Sequence, residues 1–340
     1  MSKRLFFIIP LGLIFSSLTV FKLAPGSSES RLKYATGHLS VIHYGPPSDL
    51  SFCGESVPVD KQEVRERLER ELMRHTQQFE ATQQTLHRAS RYHDEFLRIM
   101  NKMGVPEDFF YLAIAESNLS NASSPKGAQG FWQFMTSAAN QYGLEISETV
   151  DERYHPEKAT VAACRYLLDA RKEFGSWSLV AAAYNMGSGG LEKAIREQKN
   201  DDYFSLRLNN ETGNYVYRVL GYKCVFEYPG RYGFNVQQAK LHRPIPYKAV
   251  QITENIPNLA TFAGSYGLSL ETLKMMNPWL IADRLDVKPG KTYEVRIPTS
   301  DRVFAHELRV QRFAPGDSAK GVSIVPVDAG QKVPPTNPEA

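Results

Sequence analysis

Residues 106–135 read PEDFFYLAIAESNLSNASSPKGAQGFWQFM, an apolar half followed by a polar one. Pro106 carries the fixed φ that suits a first helical position. Glu107 and Asp108 follow, where the positive end of a helix dipole favours acids. The pattern predicts a helix over 106–117, and its run 109–115 is apolar enough for burial. Glu116 falls about three turns on, near the negative end of that helix and behind the apolar run. Desolvation and the dipole both disfavour its ionised form, which predicts a raised pKa. A carboxyl group that keeps its proton near neutrality suits a general acid. An isolated glutamate at a helix end is more often a solvated carboxylate, so the residues after it carry the argument. In that polar segment Gly127 and Gly130 let backbone approach a ligand closely. Trp132 and Phe131 offer either sugar-stacking surface or core packing, while Gln133 and Ser124 offer hydrogen-bonding groups.

Upstream, Val64, Leu68, Leu72, Phe79 and Leu86 recur at spacings of four and seven, which predicts one long amphipathic helix. Tyr92, Phe96, Leu97, Met100 and Met103 predict a second. The charged run 65–74 reads as a solvated face, with Glu66 and Arg70 as an i,i+4 pair. From Pro106 to about Pro229 the chain reads as mainly helical, with stops at Gly143, Gly175, Gly187 and Gly213. A Pro-containing junction at 242–247 precedes a small module at 249–298 that reads strand, helix, helix, strand. The fold class expected is therefore mainly α: a helical domain over 61–235, with its motifs concentrated in 100–226, and a small α+β module.

The ends read differently. Lys3 and Arg4 precede a 16-residue run at 5–20 that is mostly apolar, the pattern of an export signal. It is short for a membrane span, which takes about 20 apolar residues, yet Pro25 after Ala24 makes a poor cleavage site. Removal of 1–24 and its retention as a membrane anchor both stay open. Residues 25–60, rich in Gly, Ser and Pro, read as a linker, and 315–340 as a disordered tail.

A chain of 340 residues with 42% hydrophobic content is long and apolar enough for two compact domains. Its 40 basic and 37 acidic residues leave a formal charge of +3, too diffuse to predict a nucleic-acid partner. Three cysteines, Cys53, Cys164 and Cys224, are too few and too widely spaced for a disulfide scaffold or a zinc site. Two of them could pair in an oxidising compartment. No metal or other cofactor is expected.

The order ESNLS, SSPKGAQGFWQFM, YGL, DERYHPEKAT, AAAYNMGSGG and ETGNYV resembles that of the family 23 glycoside hydrolases, across roughly residues 90–230. The resemblance implies a lysozyme-like catalytic domain of the lytic transglycosylases. It makes Glu116 the sole catalytic acid/base. It places Ser124 and Gln133 at the glycan cleft, Tyr184 and Asn185 beside the acid, and Glu211 and Tyr215 on the far wall. Read without the family, Tyr184 and Tyr215 are equally buried structural tyrosines, and Glu211 a helix cap or ion-pair partner. The chain departs from the family pattern at Thr136, Met186 and Ser188, which bears on cleft width. Residues 249–298 are similar to the LysM domain, through Leu259, Ala263, Tyr266, Leu270, Leu273, Asn277, Pro278 and the closing PGKTYEVRIP. The usual Gly-Asp-Thr-Leu opening is absent, and glycan binding stands beside a purely structural role.

An ordinary glycosidase uses two carboxylates, and no second partner is evident here. A 2-acetamido sugar can supply its own nucleophile, so one acid suffices. The resemblance then implies cleavage of the MurNAc–GlcNAc bond of peptidoglycan with formation of 1,6-anhydro-MurNAc ends. The partner expected is a peptidoglycan strand on the periplasmic face of a bacterial envelope, with membrane association through the N-terminal segment. The alternatives are a goose-type lysozyme-like hydrolase and a non-catalytic peptidoglycan-binding protein.

Overall fold

In the computed structural model, which describes residues 45–236 and 241–299, the apolar run becomes helix α3 (Phe109–Ser117). Phe109, Phe110, Leu112, Ala113 and Ile114 are all buried, as a helix apolar on every side must be. It starts three residues later than expected because the first turn is tighter, with Phe109 N donating to Pro106 O and Phe110 N to Glu107 O, and that turn ends on Asp108. Its carboxylate accepts from Cys53 N at 2.6 Å and pairs with Lys223 Nζ at 2.7 Å.

Helices α1 (Gln62–Gln77) and α2 (Phe79–Met103) precede α3. The single stripe expected through Val64, Leu68, Leu72, Phe79 and Leu86 is therefore split. Gln78 leaves helical geometry at φ −92°, ψ 45°, with no Gly or Pro to mark the break. Phe79, on the far side of it, is exposed and stacks on Phe234 with ring centroids 5.0 Å apart. The charged run 65–74 is not wholly solvated either, since Glu71 is buried and pairs with Arg74 at 2.9 Å. Glu66 accepts from Gln62, and the i,i+4 ion pair on α1 is Glu63–Arg67 at 2.7 Å.

Helices α4 (Thr136–Gln141), α5 (Pro156–Phe174), α6 (Trp177–Met186), α7 (Ser188–Gln198) and α8 (Asn210–Glu227) complete the body. Pro156 opens α5, and Gly175 closes it in the left-handed conformation, the asymmetry helix ends favour. Gly213, expected as a stop, lies inside α8. Asn209 caps that helix through Thr212 N at 2.9 Å. The α8 helix packs on α1, α3 and α6, so the core forms around α8, at about 1.5–3 kcal/mol for each large apolar side chain buried.

The second half of the expected linker is packed structure. Leu50, Phe52, Val57 and Val59 are buried in the body's core, and β1 (Ser51–Phe52) pairs antiparallel with β2 (Glu55–Ser56). Glu55 accounts for the order. Its carboxylate accepts from Trp177 N at 2.9 Å and Ser178 N at 3.3 Å, and pairs with Arg171 at 2.9 Å. An acid from a distant segment thus satisfies the orphan donors at the start of α6. The expected leader 1–24, the first part of the linker and the tail 315–340 lie outside the described residues. Among the described residues no helix is long and apolar enough to cross a membrane. The three cysteines are unpaired.

The C-terminal module has the expected order: β3 (Tyr247–Ile252), α9 (Leu259–Ser265), α10 (Leu270–Met276) and β4 (Tyr293–Pro298), with the strands antiparallel and Tyr247 opposite Pro298. Buried Asn277 ties the module together. Its Nδ2 donates to Leu273 O and Arg296 O, and its Oδ1 accepts from Arg296 N. The module is not free-standing, however. Val150 of the helical body sits in its core with Leu259, Leu273, Trp279, Leu285 and Val295.

Candidate active site

Glu116 occupies the last turn of α3. The chain then reverses through Asn118, Leu119 and Asn121, all at positive φ, and Ser117 Oγ donates to Phe131 O at 2.8 Å. The polar segment is thereby folded back against the helix it follows. On α8, Glu211, Tyr215 and Arg218 are spaced four and three apart, so they share one face. Tyr215 donates its phenol proton in a short hydrogen bond to Glu116 Oε1. Burial pushes the Glu116 carboxyl up to about 7, against the Tyr215 hydrogen bond and the Arg218 charge, and the negative charge of Glu211 adds to the rise. The expected direction holds, and desolvation is its main cause. Burial and the charge of Glu116 raise the Tyr184 and Tyr215 phenols well above their ordinary value, so both remain proton donors at neutral pH.

The other expected residues divide by what holds them. Tyr184 donates to Trp132 O at 2.6 Å, which ties α6 to the polar segment. Asn185 Oδ1 accepts from Thr212 Oγ1 at 2.8 Å, which ties α6 to α8. Glu211 is exposed and lies 3.5 Å from Lys126 Nζ of the polar segment. Ser124 Oγ accepts from Ala128 N at 2.9 Å. Gln133, at φ 51°, donates to Ala122 O and Gly130 O at 2.9 and 2.8 Å. Both fasten the loop that carries them.

Of the two readings open for Trp132 and Phe131, stacking surface or core packing, the structure takes the second. Trp132 is fully buried, donates to Thr160 Oγ1 at 3.0 Å and stacks on Phe96. Phe131 is buried beside Tyr92. Gly130 does permit a close approach, but to protein: a Cβ on it would lie 1.9 Å from Arg153 O. Three further residues, not marked as site residues by the motifs, hold the site. Arg153, buried against Asp151 at 2.7 Å, donates to Phe134 O and Thr136 Oγ1, both at 3.3 Å. Tyr154 bonds Gln129 and Ser123. Both sit in the DERYH motif, whose charge gave no hint that its side chains reach back to the loop. Arg218 was legible from its helical spacing to Glu211 and Tyr215.

A second carboxyl cluster lies elsewhere. Glu95 and Glu157 both bond Arg296 of the module, at 3.1 and 2.7 Å, and line a cavity of about 300 Å³ with Tyr92, Tyr247 and Met276. Burial and the neighbouring Glu157 carboxyl push Glu95 up to about 7. Shared engagement with one arginine makes this a fastening between body and module, whereas Glu116 has a phenol as its partner.

Residues 96–206 match the transglycosylase SLT domain model, and residues 248–301 match the soluble lytic transglycosylase C-terminal LysM-like domain model. The first match takes in Glu116, Ser124, Gln133, Tyr184 and Asn185, and stops short of Glu211 and Tyr215. The chain is 29% identical over 265 residues to membrane-bound lytic murein transglycosylase D of Escherichia coli K12. It matches the protein of the same name from Escherichia coli O6:H1 equally well. The aligned part is 73% of this chain and 57% of the length of these curated relatives. Among solved structures, an inactive mutant of the lytic transglycosylase Slt from Pseudomonas aeruginosa is similar at 21% identity and TM-score 0.32, over 46% of this chain and 26% of that one.

Proposed function

We propose that this chain is a lytic transglycosylase of the bacterial envelope that cleaves peptidoglycan glycan strands, with Glu116 as its only acid/base. The observation that carries the proposal is the Glu116 carboxyl itself, held near pKa 7 by burial and hydrogen-bonded by Tyr215. The SLT domain match around it supports the substrate class. Glu116 first donates its proton to the oxygen between N-acetylmuramic acid and N-acetylglucosamine as that bond breaks. The acetamido oxygen of the muramyl residue bonds to the anomeric carbon in the same step. The resulting carboxylate then takes the proton of the muramyl 6-hydroxyl, whose oxygen displaces the acetamido oxygen and closes a 1,6-anhydro ring. Glu116 ends protonated, and no water is consumed.

Tyr215 stabilises the intermediate carboxylate through its phenol donor. Ser124, Gln133, Tyr184 and Asn185 hold the loop and α6 so that the bound sugar stays near the acid, and burial, with a small contribution from the negative charge of Glu211, raises the Glu116 carboxyl. The similarity to the LysM-like domain and the leader-like segment 1–24 support action at the periplasmic face, with membrane association through that segment.

The test is mass spectrometry of purified peptidoglycan digested by the chain and by Glu116→Gln. Anhydro-muramyl ends made only by the unsubstituted chain are expected. Reducing muramyl ends would instead mean that water attacks, as in a goose-type lysozyme. Equal absence of products from both would favour a binding protein.

A further inference from the structure

Segment 145–154 faces two ways. On one side it is built into the LysM-like module. Val150 is in the module's core and forms a β-bridge with Leu280. Asp151 N donates to Trp279 O at 2.9 Å, and Ile281 N to Thr149 O at 3.1 Å. Buried Glu145 accepts from Tyr293 at 3.0 Å and pairs with Lys291 and, at 2.9 Å, with Lys288.

On the other side the same segment holds the loop that follows Glu116. Arg153 Nη1 donates to Gly127 O, Phe134 O and Thr136 Oγ1. The Tyr154 hydroxyl bonds Gln129 and Ser123, and Asn121 Nδ2 reaches Tyr154 O at 3.4 Å. Gly130 lies so close to Arg153 O that no side chain would fit between them. Residues 131 and 132 of the loop accept in turn from Ser117 and Tyr184, next to Glu116 in chain and in electrostatic reach of it.

We infer that the LysM-like module sets the geometry of the loop 121–135 through segment 145–154, with Arg153 and Tyr154 as positioning residues and Glu145 as the latch to the module. The module is then part of what shapes the candidate site, in addition to any contact with the wall. The link runs through backbone bridges, the buried Arg153–Asp151 pair and the buried Glu145 carboxylate with its two lysines, which transmit a displacement because packed interiors have little slack. Its bearing on turnover rests on the transglycosylase reading; the coupling itself does not.

Amide hydrogen exchange on the full chain tests it without any substrate. Two perturbations enter from opposite ends: Tyr154→Phe at the loop, and Lys288→Gln with Lys291→Gln at the module, where both lysines are about half exposed. Both should speed exchange of the loop amides Ser124, Ala128, Gly130 and Phe134, by about fivefold for the loss of one hydrogen bond. Amides in the middle of α5 and α6 should keep their protection, and Lys288→Arg with Lys291→Arg should restore slow exchange. A loop that responds to Tyr154→Phe but not to the lysine pair would overturn the coupling, because the fastening would then be local. Acceleration spread evenly over α5 and α6 would overturn it too, as general loosening. If peptidoglycan is cleaved, both variants should lower kcat/KM with the alkaline limb of the pH profile unmoved, since neither touches Glu116. A shifted limb would mean a direct effect on the acid.

Discussion

Tyr215 donates its phenol proton to Glu116 across 99 residues of chain, joining the last turn of α3 to the face of α8. The bond favours the ionised carboxyl, while burial favours the protonated one, and burial wins by enough to leave the group near pKa 7. A carboxyl balanced there can give up its proton and take one back at neutral pH.

The pH profile should carry that balance. With the acid required in its protonated form, kcat/KM on peptidoglycan should fall as pH rises through about 7, by about tenfold per pH unit well above it. A profile still level at pH 9 would remove Glu116 from the role of general acid.

Tyr215→Phe should move this limb to higher pH. The lost hydrogen bond stabilised the charged form, so its removal raises the pKa further, by roughly one unit for a bond of about 1.5 kcal/mol to a charged group. Turnover should also drop near neutrality, because the carboxylate intermediate loses its donor. Kinetics from pH 5 to 9 would show both effects, and an acidward shift would contradict the arrangement.

Glu116→Gln should be inactive by at least about a hundredfold and yet more stable at alkaline pH. The folded carboxyl titrates near 7 against an ordinary value of 4.5. Its contribution to stability is therefore intact below the unfolded pKa and lost as pH rises from about 4.5 through 7. The neutral amide has no such loss. Urea unfolding should show the variant gaining on the unsubstituted chain by about 3 kcal/mol between pH 4 and pH 8.

Trp132→Ala should destabilise the body rather than merely weaken sugar binding. The indole is buried against Phe96 and bonded to Thr160, and truncating such a side chain costs about 3–5 kcal/mol. A variant of normal urea midpoint but reduced glycan affinity would return Trp132 to the cleft.

What could be read from the chain was whatever local periodicity and helix-end chemistry control. The apolar run before Glu116 foretold both the buried helix α3 and the raised carboxyl, because desolvation follows from a helix that must be covered on all sides. The strand, helix, helix, strand order of residues 249–298 was equally legible, since Asn258 and Ser269 stand as caps before its two helices. Tertiary structure alone decided the rest. The break at Gln78 has no local signal. The order of residues 45–59 depends on Glu55 finding the start of α6, and the burial of Trp132 on Phe96 and Thr160 lying behind it. The union of body and module depends on Val150, which follows Leu144 and Ile146 of the body's core and packs in the module's. A side chain's role at such points is set by what comes to meet it from far along the chain, and spacing within a single segment carries no record of that encounter.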